Sequence, residues 1–495
     1  MKNKNIFKGS LYGIIYEIIV IILAFSLRTV LVNSLGNDYV SLITIYTSIF
    51  GLLLSLDGGM ASAIFIKIHT PIAKGDEQET ARVYNTIKIV YIFRALMVSI
   101  VGIIIMFFLP TIIESNLPMD MIYLSYIVYM FIFCFNNALA YKMFLVETLQ
   151  LRYKVLQNQI IFTSLCYVLN IVLLIVFKNF IIYVILSLLF QTIINYRMNN
   201  IIKQHLPCVV NKKITKEGVD SKEVIDYTKM ALHTLSDIFI KNTDNLLVNS
   251  IISFSTVGLL SNYRMIIINI QNCCMQVLLA VKDPMRNRMA INDEASVKQL
   301  HSQITFVSYL LATFVSVCLL VLLNPFISLW LGAEHLLEFW PIYFLVSGTF
   351  IFLVTFPIID AYYFNNCYKK DYWTPVLEIV INLIFSIVLG LWIGLLGIFI
   401  GTFIYYIYRL VKRSKVYYNR VYKESNKAYV LTVVKYFAIF NIFLFITYYT
   451  VSLISFNNVF LEFSLQMITC VFIISLLLII CYFNKVKAIY KQMRG

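Results

Sequence analysis

The chain has 495 residues, of which 60% are hydrophobic and only 13% are charged. Because a typical soluble domain carries about 25% charged residues, this composition excludes an ordinary soluble protein and favours residence in a lipid bilayer. The formal net charge of +15 would suggest nucleic acid as a partner of a soluble protein. Here the Lys and Arg residues lie in short segments between apolar runs, without interleaved aromatic residues, and we therefore exclude nucleic acid.

The apolar runs are long enough for the roughly 20 residues that a membrane helix needs. Helices are expected because backbone polar groups in lipid must pair within their own segment. The first run follows a basic start and carries Glu17 and Arg28, so it predicts a membrane helix and not a cleaved signal peptide. The fourteen predicted spans are Leu11–Val32, Val40–Ile66, Ile87–Leu109, Met121–Val146, Gln159–Phe177, Phe180–Tyr196, Met230–Ile252, Val257–Val281, Ile304–Leu331, Phe339–Phe364, Tyr372–Ile393, Leu395–Val411, Tyr429–Leu453 and Val459–Phe483.

The basic residues test this count. With fourteen spans and a cytoplasmic N-terminus, Lys and Arg should collect in every second loop. Only Lys178 falls in a predicted outer segment, and five cations lie well within spans: Arg28, Arg94, Lys241, Arg264 and Lys435. The others lie in or next to the predicted inner segments. The pattern predicts a multi-pass membrane protein with both termini in the cytoplasm, and tight hairpins at Lys178-Asn179 and at Gly394. The frequent Ile, Asn, Lys and Tyr residues suggest an AT-rich bacterial genome, so we expect the bacterial cytoplasmic membrane.

The second half of the sequence echoes the first. Leu31-Val32-Asn33-Ser34 ends the first span, and Leu247-Val248-Asn249-Ser250 lies near the end of the seventh. Six spans separate the copies, which predicts two six-helix lobes related by a pseudo-two-fold axis along the membrane normal. The expected organisation is an N-terminal lobe in residues 1–202, a cytoplasmic linker in 203–229 and a C-terminal lobe in 230–411. Residues 412–495 then hold a cytoplasmic loop and two further helices.

Ionisable residues at membrane depth are costly unless they face protein or water, and they mark candidate functional positions. The embedded cations Arg28, Arg94, Lys241 and Arg264 are the candidate substrate-binding residues, since arginine suits phosphate through two parallel hydrogen bonds. The alternative is that these cations are tied to internal carboxylates, as Lys241 is placed to be with Asp237 and Asp244 on its own helix. Four acidic residues are candidates for coupling or gating, with a structural hydrogen bond or ion pair as the alternative: Asp57, Asp244, Asp360 and Glu378.

Other chemistry has no signal in the sequence. The nine cysteines include no CxxC and the five histidines are scattered, so we expect no metal site, no cofactor and no disulfide framework. No nucleotide-binding motif, nucleophile elbow or paired-carboxylate arrangement is present, which predicts that the chain is not an enzyme. The 38 Phe and 34 Tyr residues are interpreted as helix filler and interfacial belts, and not as a sugar-stacking site.

Several short motifs resemble those of one transporter family. They are Arg28…Leu35-Gly36…Tyr39, Asp57-Gly58-Gly59, Thr243-Asp244-Asn245-Leu246-Leu247-Val248, Val257-Gly258-Leu259-Leu260-Ser261-Asn262-Tyr263, Leu329-Trp330-Leu331-Gly332, Asn382…Ser386 and Gly394…Gly397-Ile398…Gly401-Thr402. In order and spacing they resemble the polysaccharide-export branch of the multidrug/oligosaccharidyl-lipid/polysaccharide exporter superfamily, the Wzx-type repeat-unit flippases. The resemblance extends over nearly the whole chain.

The resemblance implies a two-lobed transporter that works by alternating access on an oligosaccharide carried by undecaprenyl diphosphate. Its implied partners are the lipid-linked oligosaccharide, membrane lipids, and a polysaccharide polymerase and glycosyltransferases. Three alternatives remain open: a cation-coupled multidrug exporter, a peptidoglycan-precursor flippase, and a membrane scaffold that transports nothing. Fourteen spans and several embedded cations argue against the drug exporter, whose relatives usually have twelve helices and acidic cavities.

Overall fold

The computed structural model describes residues 2–55, 68–149, 151–207, 236, 238–290, 294–371 and 373–494. Over these ranges the chain is helical nearly throughout and contains no β-strand. The helices form two compact units, Met1–Gly258 and Leu259–Gly495. This division falls within residues 230–411, so the domain boundaries drawn from the internal repeat stay a prediction.

The first unit is built from ten helices among its described residues. They are α1 (Lys2–Leu35), α2 (Asn37–Ser55), α3 (His69–Lys74), α4 (Glu77–Met106), α5 (Leu109–Ile112), α6 (Met119–Leu139), α7 (Tyr141–Thr148), α8 (Arg152–Phe177), α9 (Phe180–His205) and α10 (238–251). Asp76 begins α4 as an N-cap, since its side chain accepts hydrogen bonds from the backbone N–H groups of Gln78 and Glu79, which satisfies two donors that a helix start otherwise leaves open.

The second unit follows the boundary within α11 (Phe254–Ala290). Its other described helices are α12 (Glu294–Leu331), α13 (Phe339–Phe364), α14 (Trp373–Ile393), α15 (Leu395–Tyr417), α16 (Lys427–Ser452) and α17 (Val459–Arg494). Short 3₁₀ turns at Ala333–His335 and Cys367–Lys370 precede α13 and α14, and a π-helical turn at Tyr418–Tyr422 extends α15.

Twelve helices among the described residues are long and apolar enough to cross a bilayer. They correspond to the predicted spans one to six and nine to fourteen, and the chain is a multi-pass membrane protein. The seventh predicted span begins outside the described residues and continues as α10. The eighth lies in α11, which is long enough to span a bilayer. Its apolar run is interrupted by four polar residues: Asn262, Arg264, Asn269 and Asn272.

Both predicted tight hairpins are confirmed. The α8–α9 turn has Lys178 in the left-handed region at φ 47°, and Asn179 then caps α9 by accepting from the backbone N–H groups of Ile181 and Ile182. The α14–α15 turn consists of Gly394 at φ 65°, a conformation that a residue with a Cβ rarely adopts. Each turn joins two helices that would otherwise merge into one long apolar segment.

Helix α10 packs on α2 through a stripe of amide side chains. The Asn245 Nδ2 donates to the Ser48 Oγ at 2.9 Å, and the Asn242 side chain lies against Gly51, where a Cβ would come within 2.8 Å of it. Asn249, which lies one turn further along α10, donates to the carbonyl of Ile112. Small residues and side-chain amides of this kind hold membrane helices together, because lipid offers no other partner for polar groups.

Gly258 allows the start of α11 to approach α2 closely. A Cβ at this position would lie 2.5 Å from the Asn37 Nδ2, 2.6 Å from the Ser41 Oγ and 2.7 Å from the Asn37 carbonyl oxygen. Overpacking of such a contact costs about 1–3 kcal/mol, and alanine recovers up to about 1 kcal/mol of that through its higher helix propensity. The glycine of the Val257-Gly258-Leu259 motif therefore has a packing role.

We expect Gly258→Ala to lower the free energy of unfolding by up to about 2 kcal/mol, which is the overpacking cost of about 1–3 kcal/mol less a propensity gain of about 1 kcal/mol. The measurement is equilibrium unfolding of the purified protein in mixed detergent micelles. Gly13→Ala is the matched control, because a Cβ there would meet only the Leu156 Cδ1, at 3.9 Å. Equal stabilities for the two variants would contradict the close contact at Gly258.

Candidate functional site

The structure divides the predicted site residues between the two units. Arg28, Arg94, Lys241 and Asp244 lie in the first unit, and Arg264, Asp360 and Glu378 lie in the second. Asp57 lies outside the described residues. Within the described ranges no group of three or more His, Cys, Asp or Glu side chains is arranged to hold a metal ion, and the expected absence of a cofactor stays a prediction.

Arg28 lies on α1 about two turns before the helix ends. It is half-buried among helices of the first unit, within electrostatic range of Tyr167 on α8 and Tyr183 on α9. The arginine thus lies within the unit, and the residue as a whole is partly exposed. A charge at this depth is tolerated when it faces polar protein groups or water, so the environment suits a cation that receives a ligand.

A series of tyrosines on four helices of the first unit starts beside Arg28. Tyr129 of α6 is within electrostatic range of Tyr183, and its hydroxyl lies 3.2 Å from the Thr47 Oγ1 of α2. Tyr16 of α1 is within electrostatic range of Tyr167. Tyr16, Tyr129, Tyr167 and Tyr183 are all half-buried, and we call them the tyrosine cluster. The two members next to Arg28, Tyr167 and Tyr183, provide neutral hydroxyl groups near the arginine.

Lys241 and Asp244 lie one turn apart on α10 but in different environments. Lys241 is exposed, whereas Asp244 is only 2% exposed. Both take part in interactions with other groups. Asp244 is thus a buried carboxylate next to the amide stripe of α10, an environment in which a charged group needs polar partners.

Arg94 lies midway along α4 and is half-buried. Its guanidinium carbon is 5.8 Å from the centre of the Tyr91 ring, and Tyr91 belongs to a buried core with Tyr84 and Tyr141. This contact is a cation–π interaction, which contributes about 0.5–1 kcal/mol at accessible sites and more where water is excluded. Arg94 is thereby held against the core of the first unit.

In the second unit, Arg264 is half-buried on α11 and lies 5.8 Å from the centre of the Phe399 ring of α15. The preceding residue fixes the helix at this point: the buried Tyr263 hydroxyl donates to the Asn324 Oδ1 at 2.6 Å and accepts from the Leu337 N–H. Tyr263 thus joins α11 to α12 and to the loop before α13. These two hydrogen bonds fix α11 next to Arg264, whose guanidinium lies near Phe399 of α15.

Glu378 forms a fully buried ion pair with Arg413, and both side chains are 0% exposed. The Arg413 Nε donates to the Glu378 Oε1 at 2.7 Å, and its Nη2 donates to the Oε2 at 2.6 Å. The remaining Nη1 donates to the Tyr363 hydroxyl at 2.8 Å. This two-pronged pairing is the strongest geometry for an arginine and a carboxylate, and it joins α13, α14 and α15.

A second buried carboxylate lies beside this pair. Asp371 accepts hydrogen bonds from the Tyr362 hydroxyl at 2.9 Å and from the Thr374 hydroxyl at 2.5 Å. On α15, Arg409 is also buried and its Nη1 donates to the Tyr405 hydroxyl at 2.7 Å. The end of the second unit where α13 ends and α14 begins therefore contains a polar network within an otherwise apolar bundle.

The loop between α13 and α14, which is next to this network, contains a cysteine. Cys367 lies between α13 and α14 and is fully buried. Its burial raises the pKa of the thiol to about 11, although Arg420 acts in the opposite direction. Because the thiolate is the reactive form, Cys367 is a packing residue.

The α14–α15 hairpin carries a further polar cluster. The Asn382 Nδ2 donates to the Thr402 Oγ1 at 3.1 Å, and the Ser386 hydroxyl donates to the Ile398 carbonyl at 3.0 Å. Gly401 allows this approach, since a Cβ there would lie 2.4 Å from the Ser386 backbone nitrogen. The Asn382…Ser386 and Gly401-Thr402 motifs are therefore neighbours across one helix pair.

Asp360 is buried on α13 and interacts with other groups of the protein. The structure thus shows an ion pair for Glu378, which the sequence analysis kept as its alternative, and a buried polar environment for Asp244 and Asp360. The roles of Asp57, Asp244, Asp360 and Glu378 in coupling or gating stay predictions, as do the substrate-binding roles of the four cations.

Sequence analysis did not single out Arg409, Arg413, Asp371 or the tyrosine cluster. Arg409 and Arg413 stand at the end of a predicted span and were interpreted as part of a basic inner loop. A usable signal was present, because Glu378 is a carboxylate in a strongly apolar span and requires a cation. The tyrosines carry no comparable signal, since tyrosine is frequent along the whole chain.

Comparison with known proteins places the fold among transporters. No family model matches the chain, and no curated protein matches it in sequence. Solved structures with the same fold include the inward-facing conformation of a multidrug resistance MATE family transporter of the MOP superfamily, at 12% identity and a TM-score of 0.60 over 84% of this chain and 99% of that one. The lipid II flippase MurJ in an inward closed conformation has 15% identity and a TM-score of 0.65 over 97% and 99%.

A third structure with this fold is a MOP superfamily transporter from Pyrococcus furiosus. It has 13% identity and a TM-score of 0.60 over 86% of this chain and 97% of that chain, and its binding pocket is described as having reversed polarity that suggests a different function. All three neighbours are transporters of the MOP superfamily or a lipid flippase. At these identities the similarity concerns the fold.

Proposed function

We propose that the chain is a flippase that moves an oligosaccharide repeat unit, linked to undecaprenyl diphosphate, from the cytoplasmic to the outer leaflet. The unit is used for surface polysaccharide biosynthesis, and transport proceeds by alternating access. The observation that carries the proposal is Arg28, a half-buried cation deep in the first unit among neutral tyrosines. Its planar guanidinium suits a diphosphate better than a cationic drug, which it would repel.

The fold supports this proposal. It is shared with MATE transporters and with the lipid II flippase MurJ, and the latter acts on a lipid-linked molecule. Another transporter of the superfamily is described as having a binding pocket of reversed polarity, so pocket polarity varies within the fold. Arg94, Lys241 and Arg264 are proposed as further cations along the path of the headgroup, with the lipid tail remaining in the bilayer.

The membrane potential favours this direction of transport. We propose that the protein lies in the bacterial cytoplasmic membrane with both termini in the cytoplasm. An inside-negative potential then assists the export of an anion by about 2.3 kcal/mol per charge per 100 mV. Asp57, Asp244 and Asp360 are candidates for an additional ion coupling. For Glu378 we favour a structural role, because Arg413 already donates to both of its oxygens.

A peptidoglycan-precursor flippase is the second candidate, favoured by the extent of the match to MurJ, which covers 97% of this chain. The two candidates differ in substrate. A polysaccharide flippase would cooperate with a polysaccharide polymerase and glycosyltransferases, and its loss would abolish one surface polymer. A precursor flippase would be required for the cell wall itself.

The test is surface labelling of lipid-linked repeat units in cells depleted of this protein. We expect the units to accumulate in the inner leaflet and the surface polysaccharide to disappear, with peptidoglycan synthesis continuing. Accumulation of the peptidoglycan precursor in the same cells would favour the second candidate. Normal arrival of both lipids at the outer leaflet would contradict both candidates and favour a drug exporter or a scaffold.

A further inference from the structure

Two lysines on the last two helices are exposed within membrane-spanning segments. Lys435 lies about 12 Å along α16 from its start, at 1.5 Å per residue, and Lys485 lies near the end of the apolar segment Val459–Lys487 of α17. Both residues are exposed. Lys435 is one of the five cations that the sequence places within a predicted span, and the proposed function gives it no role.

Ring contacts place the two lysines at the same level of the second unit. Tyr436, which follows Lys435 in α16, stacks on Tyr309 of α12 with ring centroids 3.9 Å apart. The Tyr309 hydroxyl lies 3.0 Å from the hydroxyl of Tyr482, which precedes Lys485 by one turn of α17. The two lysines therefore flank one short series of contacting rings, and they are within electrostatic range of each other.

The ammonium group of Lys485 has a preferred position at the surface of the unit. Its Nζ lies 4.1 Å from the centre of the Phe306 ring, and Phe306 is only 1% exposed. The Phe306 ring in turn makes a T-shaped contact with Tyr482 at 5.3 Å between centroids. Because a cation over an aromatic face is attracted by the ring quadrupole, these contacts hold the charge beside the ring series.

The protein does not neutralise this pair of charges in the part of the chain that the structure describes. No carboxylate there forms an ion pair with Lys435 or Lys485. The contrast within the same unit is Lys298, whose Nζ lies 2.6 Å from the Glu424 carboxylate. Two unneutralised like charges within membrane-spanning segments are costly, and an anion bound between them would remove that cost.

The surroundings of the lysines are those of a lipid-contacting surface. Exposed apolar side chains adjoin them on both helices: Leu431 and Val434 on α16, and Phe483 and Val486 on α17. Apolar side chains of this kind contact hydrocarbon in a bilayer, and a lysine among them extends its charged end toward the headgroup region. The expected ligand is therefore a molecule with an anionic head and apolar chains.

We propose that Lys435 and Lys485 bind the headgroup of an anionic phospholipid at the surface of α16 and α17, with its acyl chains along the exposed apolar side chains. Basic sites between membrane helices bind anionic headgroups in this way. Because the two ammonium groups are separate point charges on flexible stems, a lipid with two phosphate groups should bind more tightly than a lipid with one. The site is separate from the proposed transport cations and does not depend on the transported substrate.

The experiment measures lipid binding to the purified full-length protein in detergent by native mass spectrometry. The probes are cardiolipin, which has two phosphate groups, and zwitterionic phosphatidylcholine with the same acyl chains. We expect the wild type to bind cardiolipin in preference to phosphatidylcholine. Lys435→Gln and Lys485→Gln should each lower the cardiolipin affinity roughly fivefold, as expected for the loss of one lysine from an anionic lipid surface.

Three control variants accompany these measurements. Lys415→Gln removes an exposed lysine near the end of α15 in the same unit, and it should change the cardiolipin affinity by less than about twofold. Lys435→Arg and Lys485→Arg keep the positive charge, so each should stay within about twofold of the wild type. Retained binding in the arginine variants would show that a loss in the glutamine variants comes from charge and not from misfolding.

Other results would overturn the inference. Equal losses from the three glutamine variants would mean that the overall positive charge attracts the lipid, without a site at α16 and α17. A wild type that does not prefer cardiolipin, or glutamine variants that bind it normally, would exclude the site. A third probe, farnesyl diphosphate, separates a phospholipid from a lipid diphosphate. If it displaces cardiolipin from the wild type at equal concentration, the lysines bind the transported lipid and the phospholipid assignment is wrong.

Discussion

Replacing Arg413 with methionine is expected to lower the free energy of unfolding by about 3–5 kcal/mol. The substitution removes the cation that donates to both oxygens of the Glu378 carboxylate, which is 0% exposed, and breaking a buried ion pair by removing one partner costs that amount. The Tyr363 hydroxyl loses its donor as well. The measurement is equilibrium unfolding in mixed micelles titrated with a denaturing detergent.

The double variant Glu378→Leu with Arg413→Met separates lost pairing from lost packing. Since two apolar residues of similar volume replace a buried ion pair at little cost, the double variant should recover most of the lost stability. The matched control is Lys298→Met, which breaks an ion pair with Glu424 of the same 2.6 Å length between side chains that are 48% and 51% exposed. An exposed pair contributes about 0–1 kcal/mol. Equal losses from Lys298→Met and Arg413→Met would contradict the argument from burial.

The membrane helices were predictable because the bilayer imposes a length and an apolar composition on each span. Both tight hairpins were predictable too, since the residues that interrupt the apolar run also favour the turn. The break between α6 and α7 at Ala140 had no signal, because alanine is a strong helix former. This turn lies within the predicted span Met121–Val146 and leaves the segment Met119–Thr148 as one candidate membrane span.

The candidate site was predictable only in part. A charge within an apolar run is visible from composition, which identified Arg28, Arg264 and Glu378. Partners that are far apart along the chain cannot be recognised from the sequence. Arg413 pairs with Glu378, which is 35 residues away. The tyrosines near Arg28 lie on α8 and α9, far from α1 in the sequence. Arg413 also resembles the arginines of a basic loop, because position along the sequence does not distinguish a side chain that turns into the bundle from one that faces water.

Arg28 provides the most direct test of the cation at the proposed site. We expect Arg28→Gln to reduce the rate of flipping roughly 10- to 150-fold. This range corresponds to the loss of a hydrogen bond to a charged group, about 1.5–3 kcal/mol, at 1.4 kcal/mol for each factor of ten. The readout is the initial rate at which lipid-linked repeat units appear in the outer leaflet of cells with the variant as sole copy, normalised to protein abundance.

Arg28→Lys distinguishes charge from geometry. Lysine keeps the positive charge but loses the planar fork that binds a diphosphate through two parallel hydrogen bonds, so its rate should lie between those of the wild type and Arg28→Gln. Arg197→Gln is the matched control, because Arg197 is an exposed arginine of the same unit that donates to the Asn158 side chain. It should leave the rate within about twofold, as expected for an exposed polar contact. A wild-type rate for Arg28→Gln at normal abundance would mean that the headgroup crosses without this cation, and the anionic site would then have to lie elsewhere in the chain.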